Sequence, residues 1–300
     1  MRAQWQDPPE YRDPGPGSGV QMAMPPLTPA VKLLLWITGG VFLVTFLLFV
    51  LPGTDSVANG IVHWFAISPD TWIELAPFLP LWQLVTWGFL HSLTSPTHIL
   101  YNMLLLYFLG TMLEESTGAR RFLTFYVSAL LVSGIVTLAV ALAAGPTVLG
   151  QLGEPSYPQT LGASGAVLAI VVAAATLHPK RRILFLLFPI TLKTLAIFLV
   201  GLDVFWQLLE MSGKSSSNVA RLAHLSGAAW GFWLVKSGWI WRDVGATVEA
   251  WRVRKREARE VSDEERLDEL LQKINHEGIG ALSHGERAFL KRASKRRSGG

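Results

Sequence analysis

Long apolar runs alternate with charged or proline-rich segments along most of the chain. Six runs approach the roughly 18 apolar residues that are typical of a membrane-spanning helix. The fourth run has only 15 residues, which cover about 22 Å of a hydrocarbon layer about 30 Å thick. The pattern predicts an all-α polytopic membrane protein, a six-helix bundle with a short central helix that carries Ser164. The predicted spans are about 30–51, 97–113, 122–143, 163–177, 191–209 and 220–235.

Lys and Arg residues are unevenly distributed between the connecting segments. Residues 52–97 and 144–161 contain none, whereas 120–121 and 180–182 are basic. Because basic loops stay on the cytoplasmic side, both termini are predicted to be cytoplasmic, in a cell (inner) membrane. Residues 52–97 also contain four Trp residues, which predicts an outer segment lying in the headgroup region.

The two ends of the chain differ in composition from the spans. Residues 1–29 carry seven of the 17 prolines, which predicts a disordered cytoplasmic leader and does not resemble a signal peptide. A six-span domain is expected at 30–238, a basic and aromatic linker helix at 239–261, and a two-helix cytoplasmic tail at 262–300. Capping-box patterns begin at Ser262 and Ser283, and Gly278 is expected to end the first tail helix.

Overall composition excludes several classes of protein. A hydrophobic content of 50% with 12 Trp residues does not fit an ordinary soluble domain. The absence of cysteine excludes disulfides and thiolate metal sites. The net charge of +4 lies mostly in the tail and gives little support to a nucleic-acid partner. The chain also lacks the His-Glu-x-x-His pattern of zinc proteases, and we expect no metal and no cofactor.

Unusual polar residues occur in the first turns of spans 2, 4 and 6, which run in the same direction. His98, Asn102, Ser164 and His224 are therefore expected at one depth, in the outer half of the membrane. Small residues follow at helical spacing on spans 4 and 6, which allows the two backbones to approach closely. Such packing permits the 2.6–3.2 Å contact that a serine nucleophile needs with a histidine base. The small residues are Gly165, Ala169 and Ala173 on span 4, and Gly227 and Gly231 on span 6.

Each of these features taken alone is more typical of helix packing than of catalysis, but their coincidence favours a reactive serine. Asp203 on span 5 is a further ionisable residue within the membrane. For Asp203 the sequence favours a role in packing or as a polar partner in the bundle over a role in catalysis.

Three motifs resemble the signature motifs of the rhomboid intramembrane serine proteases, in the family's order. They are His98-Ile-Leu-Tyr-Asn102, Gly162-Ala-Ser-Gly165 and Ala223-His-Leu-Ser-Gly227-Ala-Ala-Trp-Gly231. The resemblance covers about 30–238 and implies a dyad of Ser164 as nucleophile and His224 as base, with no triad acid. It also implies an oxyanion hole formed by the side chains of His98 and Asn102 and the backbone N–H of Ser164.

The resemblance also extends to supporting positions, with two departures. His91 and Glu114 match positions that have structural roles in the family. Gln83 stands where the family commonly has Arg, and Leu168 stands where an aromatic residue often stacks on the catalytic histidine. The tail resembles a helical segment found after the core in some bacterial rhomboids.

The expected function is a serine endopeptidase of the lipid bilayer that cuts single-span membrane proteins near the outer interface, next to a small residue. One alternative is a proteolytically inactive rhomboid-like factor that binds membrane proteins, although such a protein would normally have lost the serine or histidine. A second alternative is a transporter. The absence of an internal repeat and the single depth of the polar residues argue against it.

Overall fold

The computed structural model describes residues 25–148, 155–157, 159–185, 188–211 and 220–298, and these are mostly helical. Most of the predicted leader, residues 1–24, lies outside the described residues. Parts of the loop between spans 3 and 4, and the segment with Lys214 between spans 5 and 6, also lie outside them.

Twelve α-helices form most of the described structure, and those within the predicted spans follow the apolar runs. Two short antiparallel hairpins accompany them, β1 (Thr147–Val148) with β2 (Pro155–Ser156) and β3 (Arg182–Phe185) with β4 (Phe188–Thr191). The helices are α1 (Pro29–Val50), α2 (Asp55–Phe65), α3 (Pro69–Glu74), α4 (Gln83–Thr86), α5 (Pro96–Leu105), α6 (Thr111–Thr117), α7 (Ala119–Ala144), α8 (Ser164–Leu177), α9 (Leu192–Met211), α10 (Ala220–Lys236), α11 (Val244–Glu277) and α12 (His284–Ser298).

Among the described residues, three helices are long and apolar enough to cross a membrane. They are Pro29–Val50, Ala119–Ala144 and Leu192–Leu209. Two further predicted spans form shorter helices, because α8 has 14 residues and α10 has 17. The remaining predicted span is divided into α5 and α6 by a π-helical turn at Leu106–Gly110. The chain is therefore a helical membrane protein, with α8 as short as the sequence predicts.

Helix α8 lies at the centre of the fold and packs against α7, α9 and α10. Ten of its 14 residues are buried. A Cβ atom added to Gly227 of α10 would collide with the carbonyl oxygen of Gly165, and one added to Gly231 would lie 2.9 Å from Cα of Ala169. The predicted small-residue faces of the two helices are thus in backbone contact at these two levels.

The base-free segment 52–97 folds into α2, α3, α4 and a 3₁₀ turn, and Gln83 is its buried centre. The Gln83 side-chain oxygen accepts hydrogen bonds from Trp72 Nε1 at 3.0 Å and from the N–H of Ser68 at 3.2 Å. Its amide nitrogen donates to the carbonyl of Trp64 at 3.2 Å. A neutral glutamine therefore joins three parts of this segment at the position where the family commonly has arginine.

The chain divides into two compact units, Met1–Ile240 and Trp241–Gly300. In the second unit, α11 runs without a break through Ser262, so the helix start predicted there is wrong. Strong helix formers flank Ser262 on both sides, and nothing in the local sequence interrupts the helix. The helix instead begins after Asp243, whose carboxylate accepts from the N–H of Ala246 at 2.9 Å.

The second predicted capping box is confirmed. The N–H of Ser283 donates to Glu286 Oε2 at 2.6 Å, and the N–H of Glu286 donates to Ser283 Oγ at 3.3 Å. The hydrogen bond from the Ser283 N–H, followed by those from its hydroxyl and from Lys273, lowers the pKa of Glu286 from 4.5 to about 2. Lys273 Nζ lies 3.1 Å from Glu286 Oε1 and links α11 to the start of α12. Gly278, with φ of 83°, ends α11 as predicted.

Candidate active site

Ser164 is the first residue of α8, and a glycine just before it shapes the backbone. Gly162 has φ of 127°, a conformation that residues with a side chain rarely adopt. A Cβ atom there would lie 2.8 Å from Cε1 of His98. The N–H of Gly162 donates to the carbonyl of Trp87 at 2.9 Å, which fixes the turn. The backbone leading to Ser164 is therefore held directly against the His98 ring.

His224 of α10 faces Ser164 across the contact between the two helices. Its Nε2 atom lies 2.6 Å from Ser164 Oγ. This distance falls in the range that allows a histidine to take the proton of an attacking hydroxyl. The structure thus brings the predicted nucleophile and the predicted base together, and the glycine-mediated approach of α8 and α10 is what makes the distance short.

Asp203 of α9 contacts the other side of the same imidazole. His224 Nδ1 lies 3.1 Å from Asp203 Oδ1 and 3.2 Å from Oδ2. The side chains of His224 and Asp203 are 25% and 20% exposed. The sequence favours a role for Asp203 in packing or as a polar partner over a role in catalysis, and in the structure its partner is His224, the predicted base. The rhomboid resemblance implies a dyad with no acidic third group, whereas here a carboxylate contacts the imidazole of the predicted base.

The two side chains predicted as oxyanion donors, His98 and Asn102, lie one turn apart on α5. Asn102 is buried, and its Nδ2 atom donates to the carbonyl of His98 at 2.8 Å. A primary amide carries two hydrogens, so one donor of Asn102 is left over for another acceptor. The ring of His98 lies beside Gly162 and 5.1 Å from the ring of His91. His98 therefore lies within contact distance of the backbone that leads to Ser164.

Leu168 follows Ser164 by one helical turn and is a buried member of the hydrophobic core. A branched aliphatic side chain cannot provide the flat ring that the family often places at this position. Packing of Leu168 into the core stabilises α8 through burial of its apolar surface.

Comparisons with known proteins agree with this architecture. A family model described as "Rhomboid domain" matches residues 79–240, more than half of the chain. The RHOMBOID-like protein 12, mitochondrial, of Arabidopsis thaliana is 35% identical over 154 residues, which cover 47% of this chain and 44% of that protein. The presenilin-associated rhomboid-like proteins, mitochondrial, of Rattus norvegicus and Homo sapiens are 25% and 24% identical over 222 residues, or 71% of this chain.

The chain spans about half the length of these curated relatives, since the aligned region covers 52% of the rat protein and 51% of the human protein. Within the chain, the matched residues 79–240 include Ser164, His224, Asp203, His98 and Asn102. Together with the helical membrane architecture and the three motifs, the match shows that this chain belongs to the rhomboid family.

Proposed function

We propose that the protein is an intramembrane serine endopeptidase that uses Ser164 and His224. The observation that carries the proposal is the 2.6 Å contact between His224 Nε2 and Ser164 Oγ. A serine that serves only helix packing normally bonds a backbone carbonyl of its own helix, as Ser226 Oγ does with the carbonyl of Leu222 at 2.7 Å. Ser164 instead faces an imidazole on a neighbouring helix.

In the proposed first step, Ser164 Oγ attacks the carbonyl carbon of the scissile peptide bond, and its proton passes to His224 Nε2. The carbonyl π electrons move to the oxygen, which becomes an oxyanion. The backbone N–H of Ser164 and the side chains of His98 and Asn102 are the proposed donors to it. In a low-dielectric site, each pre-placed donor lowers the barrier by about 2.7–4 kcal/mol.

Collapse of the tetrahedral intermediate breaks the C–N bond, and the leaving amine takes the proton from His224 Nε2. The C-terminal portion of the substrate leaves with a new amino group, and the acyl carbon of the N-terminal portion remains bound to Ser164 Oγ as an ester. A water molecule then attacks this ester and gives a proton to His224, which returns it to Ser164 Oγ as the second product leaves. Water is the only co-reactant that the proposed reaction consumes, and the reaction requires no cofactor.

The proposed topology has six spans with both termini on the cytoplasmic side. Helices α1, α7 and α9 supply three spans, and the α5–α6 stretch, α8 and α10 supply the others. Ser164 then lies near the outer end of the bundle, because α8 begins at Ser164 and the basic residues follow its other end. A cell (inner) membrane is proposed as the site, although the relatives are named as mitochondrial proteins. Reporter fusions at either terminus would test the orientation.

The proposed substrates are single-span membrane proteins, cut at or just inside the outer interface. A helical substrate hides its peptide bonds, so residues that weaken a helix, such as Gly and Pro, should lower the cost of exposing the scissile bond. The crowded backbone at Gly162 suits a small side chain next to that bond. Mass spectrometry of products from a model substrate would identify the cut, and cuts in the cytoplasmic half would contradict the proposal.

Labelling with a serine-directed fluorophosphonate tests the catalytic assignment directly. Wild-type protein should be labelled at Ser164, Ser164→Ala should not be labelled, and the control Ser226→Ala should react like wild type. In cleavage assays, wild type and Ser226→Ala should be active and Ser164→Ala should be inactive. A folded wild-type protein that binds single-span proteins but is neither labelled nor able to cut them would favour the inactive binding factor instead.

A further inference from the structure

We propose that Asp203 is a positioning residue for His224, so that the reaction centre is an Asp–His–Ser arrangement drawn from three helices. The inference rests on the proposed protease function and adds a third group to it. Asp203 comes from α9, His224 from α10 and Ser164 from α8. The imidazole lies between them, with Nδ1 at 3.1 Å from the carboxylate and Nε2 at 2.6 Å from the hydroxyl.

The carboxylate selects one tautomer of the imidazole. An ionised carboxylate only accepts hydrogen bonds, so the nitrogen that faces it must carry the proton. With the proton on Nδ1, the Nε2 atom has a free lone pair directed at Ser164 Oγ, as a general base requires. With the other tautomer, Nε2 would donate to Oγ and could not take its proton. Asp203 also places a negative charge beside the imidazolium that forms as Ser164 attacks.

The surroundings of Asp203 favour a functional role for its contact with His224. Its neighbours on α9, Leu202 and Val204, are large exposed hydrophobic residues. An ionisable side chain on such a helix is costly in a membrane unless it has a partner, so an apolar residue would be the more stable choice at this position. The side chain is only 20% exposed and is turned toward His224.

The two oxygens of Asp203 lie at nearly equal distances from Nδ1, which restricts rotation of the imidazole about its χ angles. Restricting the ring matters because displacement of a reacting group by about 1 Å can cost about 100-fold in rate. Fixing both the tautomer and the ring orientation affects the chemical step and leaves substrate binding largely unchanged. This distinction makes the role of Asp203 measurable.

The test compares Asp203→Asn, Asp203→Ala and Asp203→Glu with wild type in the full-length protein. A matched control is Glu74→Gln, which removes a carboxylate from an exposed residue at the end of α3. Cleavage of a single-span model substrate in proteoliposomes gives kcat and KM separately, and fluorophosphonate labelling gives the reactivity of Ser164. Thermal unfolding in detergent reports the folded fraction of each variant.

We expect Asp203→Asn, which keeps the shape of the side chain, to lower kcat by about 100-fold with KM within about twofold of wild type. The labelling rate should fall with kcat, the Glu variant should recover part of the loss, and Glu74→Gln should match wild type. A kcat for Asp203→Asn within twofold of wild type would overturn the proposal. So would losses that follow the folded fraction of the variants.

A protein without protease activity would give a different set of results in these assays. Wild-type protein and Ser164→Ala would then both remain unlabelled and inactive, and the proposed roles of His224 and Asp203 would both be wrong. If wild type is active, Ser164→Ala is inactive and Asp203→Asn is unchanged, the dyad alone performs the reaction.

Discussion

The carboxylate of Glu114 accepts a hydrogen bond from the N–H of Val31 at 2.8 Å, although 83 residues separate the two in sequence. The same carboxylate accepts from the N–H of Ala30 at 2.9 Å and from Thr28 Oγ1 at 2.5 Å. Glu114 thus caps the first turn of α1 from α6, where a negative charge is favoured by the helix dipole. This contact gives Glu114 a structural role, as the resemblance implied.

Replacing Glu114 with Ala should lower the free energy of unfolding by about 1–3 kcal/mol. The physical reason is that the N–H groups of Ala30 and Val31 lose their acceptor in a buried place. Thermal unfolding in detergent would measure the change, with Glu115→Ala as the control because Glu115 is the exposed neighbour. Equal melting temperatures for the two variants would contradict the capping role.

Substituting Gly227 with Ala should separate α8 from α10. The added methyl group would collide with the carbonyl oxygen of Gly165. We expect a loss of stability of about 1–3 kcal/mol and a fall in cleavage rate of about 100-fold, because the Ser164–His224 distance depends on this contact. Gly201→Ala is the control, since a Cβ atom there would have no neighbour within 4 Å. Normal activity in Gly227→Ala would show that the dyad does not need the close approach.

The variant Asn102→Ala should lower kcat by about 10²- to 10³-fold and change KM little, because the amide is proposed to act on the oxyanion of the transition state. Steady-state kinetics on a model substrate would separate the two parameters. Asn59→Ala, at an exposed position on α2, serves as the control. An effect confined to KM would mean that Asn102 is only a packing residue.

Stability should fall as the pH falls below about 6.5, because of His91. Burial, reinforced by nearby His98, lowers the pKa of His91 from 6.5 to about 4. Above pH 6.5 the His91 ring is neutral in both the folded and the unfolded state, so its contribution to the free energy of unfolding does not vary with pH. Between about pH 6.5 and 4 only the unfolded state gains the proton, and unfolding becomes easier by up to about 3 kcal/mol.

The variant His91→Gln removes this titration. Its unfolding midpoint should therefore change less between pH 7 and pH 5 than that of wild type. Chemical denaturation at the two pH values provides the comparison. The same acid sensitivity in both proteins would assign the effect to other groups.

Removal of Trp241–Gly300 should leave cleavage in detergent intact, because this segment forms a compact unit of its own and Ser164 belongs to the other. Truncation at Ser262 is a poorer test than it would seem from the sequence, since it cuts α11 in the middle. A truncated protein that remains folded but inactive would show that the second unit supports catalysis.

The sequence predicts the contact between Ser164 and His224 well because two independent signals agree. The predicted topology gives both residues one depth, and the glycines permit a close approach of the helices that carry them. Membrane helices offer few other clues of this kind, because their lipid-facing and protein-facing surfaces are both apolar. Span 5 lacks an amphipathic pattern, so its rotation, and with it the direction of Asp203, could not be predicted.

Gln83 shows a second limit of sequence reasoning. From the sequence, Gln83 is only a departure from the arginine that the family commonly has at this position. In the structure its amide is buried and hydrogen-bonded to the backbone of Ser68 and Trp64 and to the Trp72 indole. Two of these partners are backbone groups. Their positions depend on the path of the chain and cannot be recognised from the types of residue in the sequence.

The shortness and burial of α8 have a consequence for membranes of different thickness. Hydrophobic mismatch acts on surfaces that touch lipid, and α8 exposes little, whereas α1 exposes large hydrophobic residues along its length. A thicker or thinner bilayer would therefore tilt or shift α1 and the proposed substrate, while the distance from Ser164 to His224 stays fixed by protein contacts. Bilayer thickness would then determine which substrate residue meets Ser164, and with it the length of the released fragment.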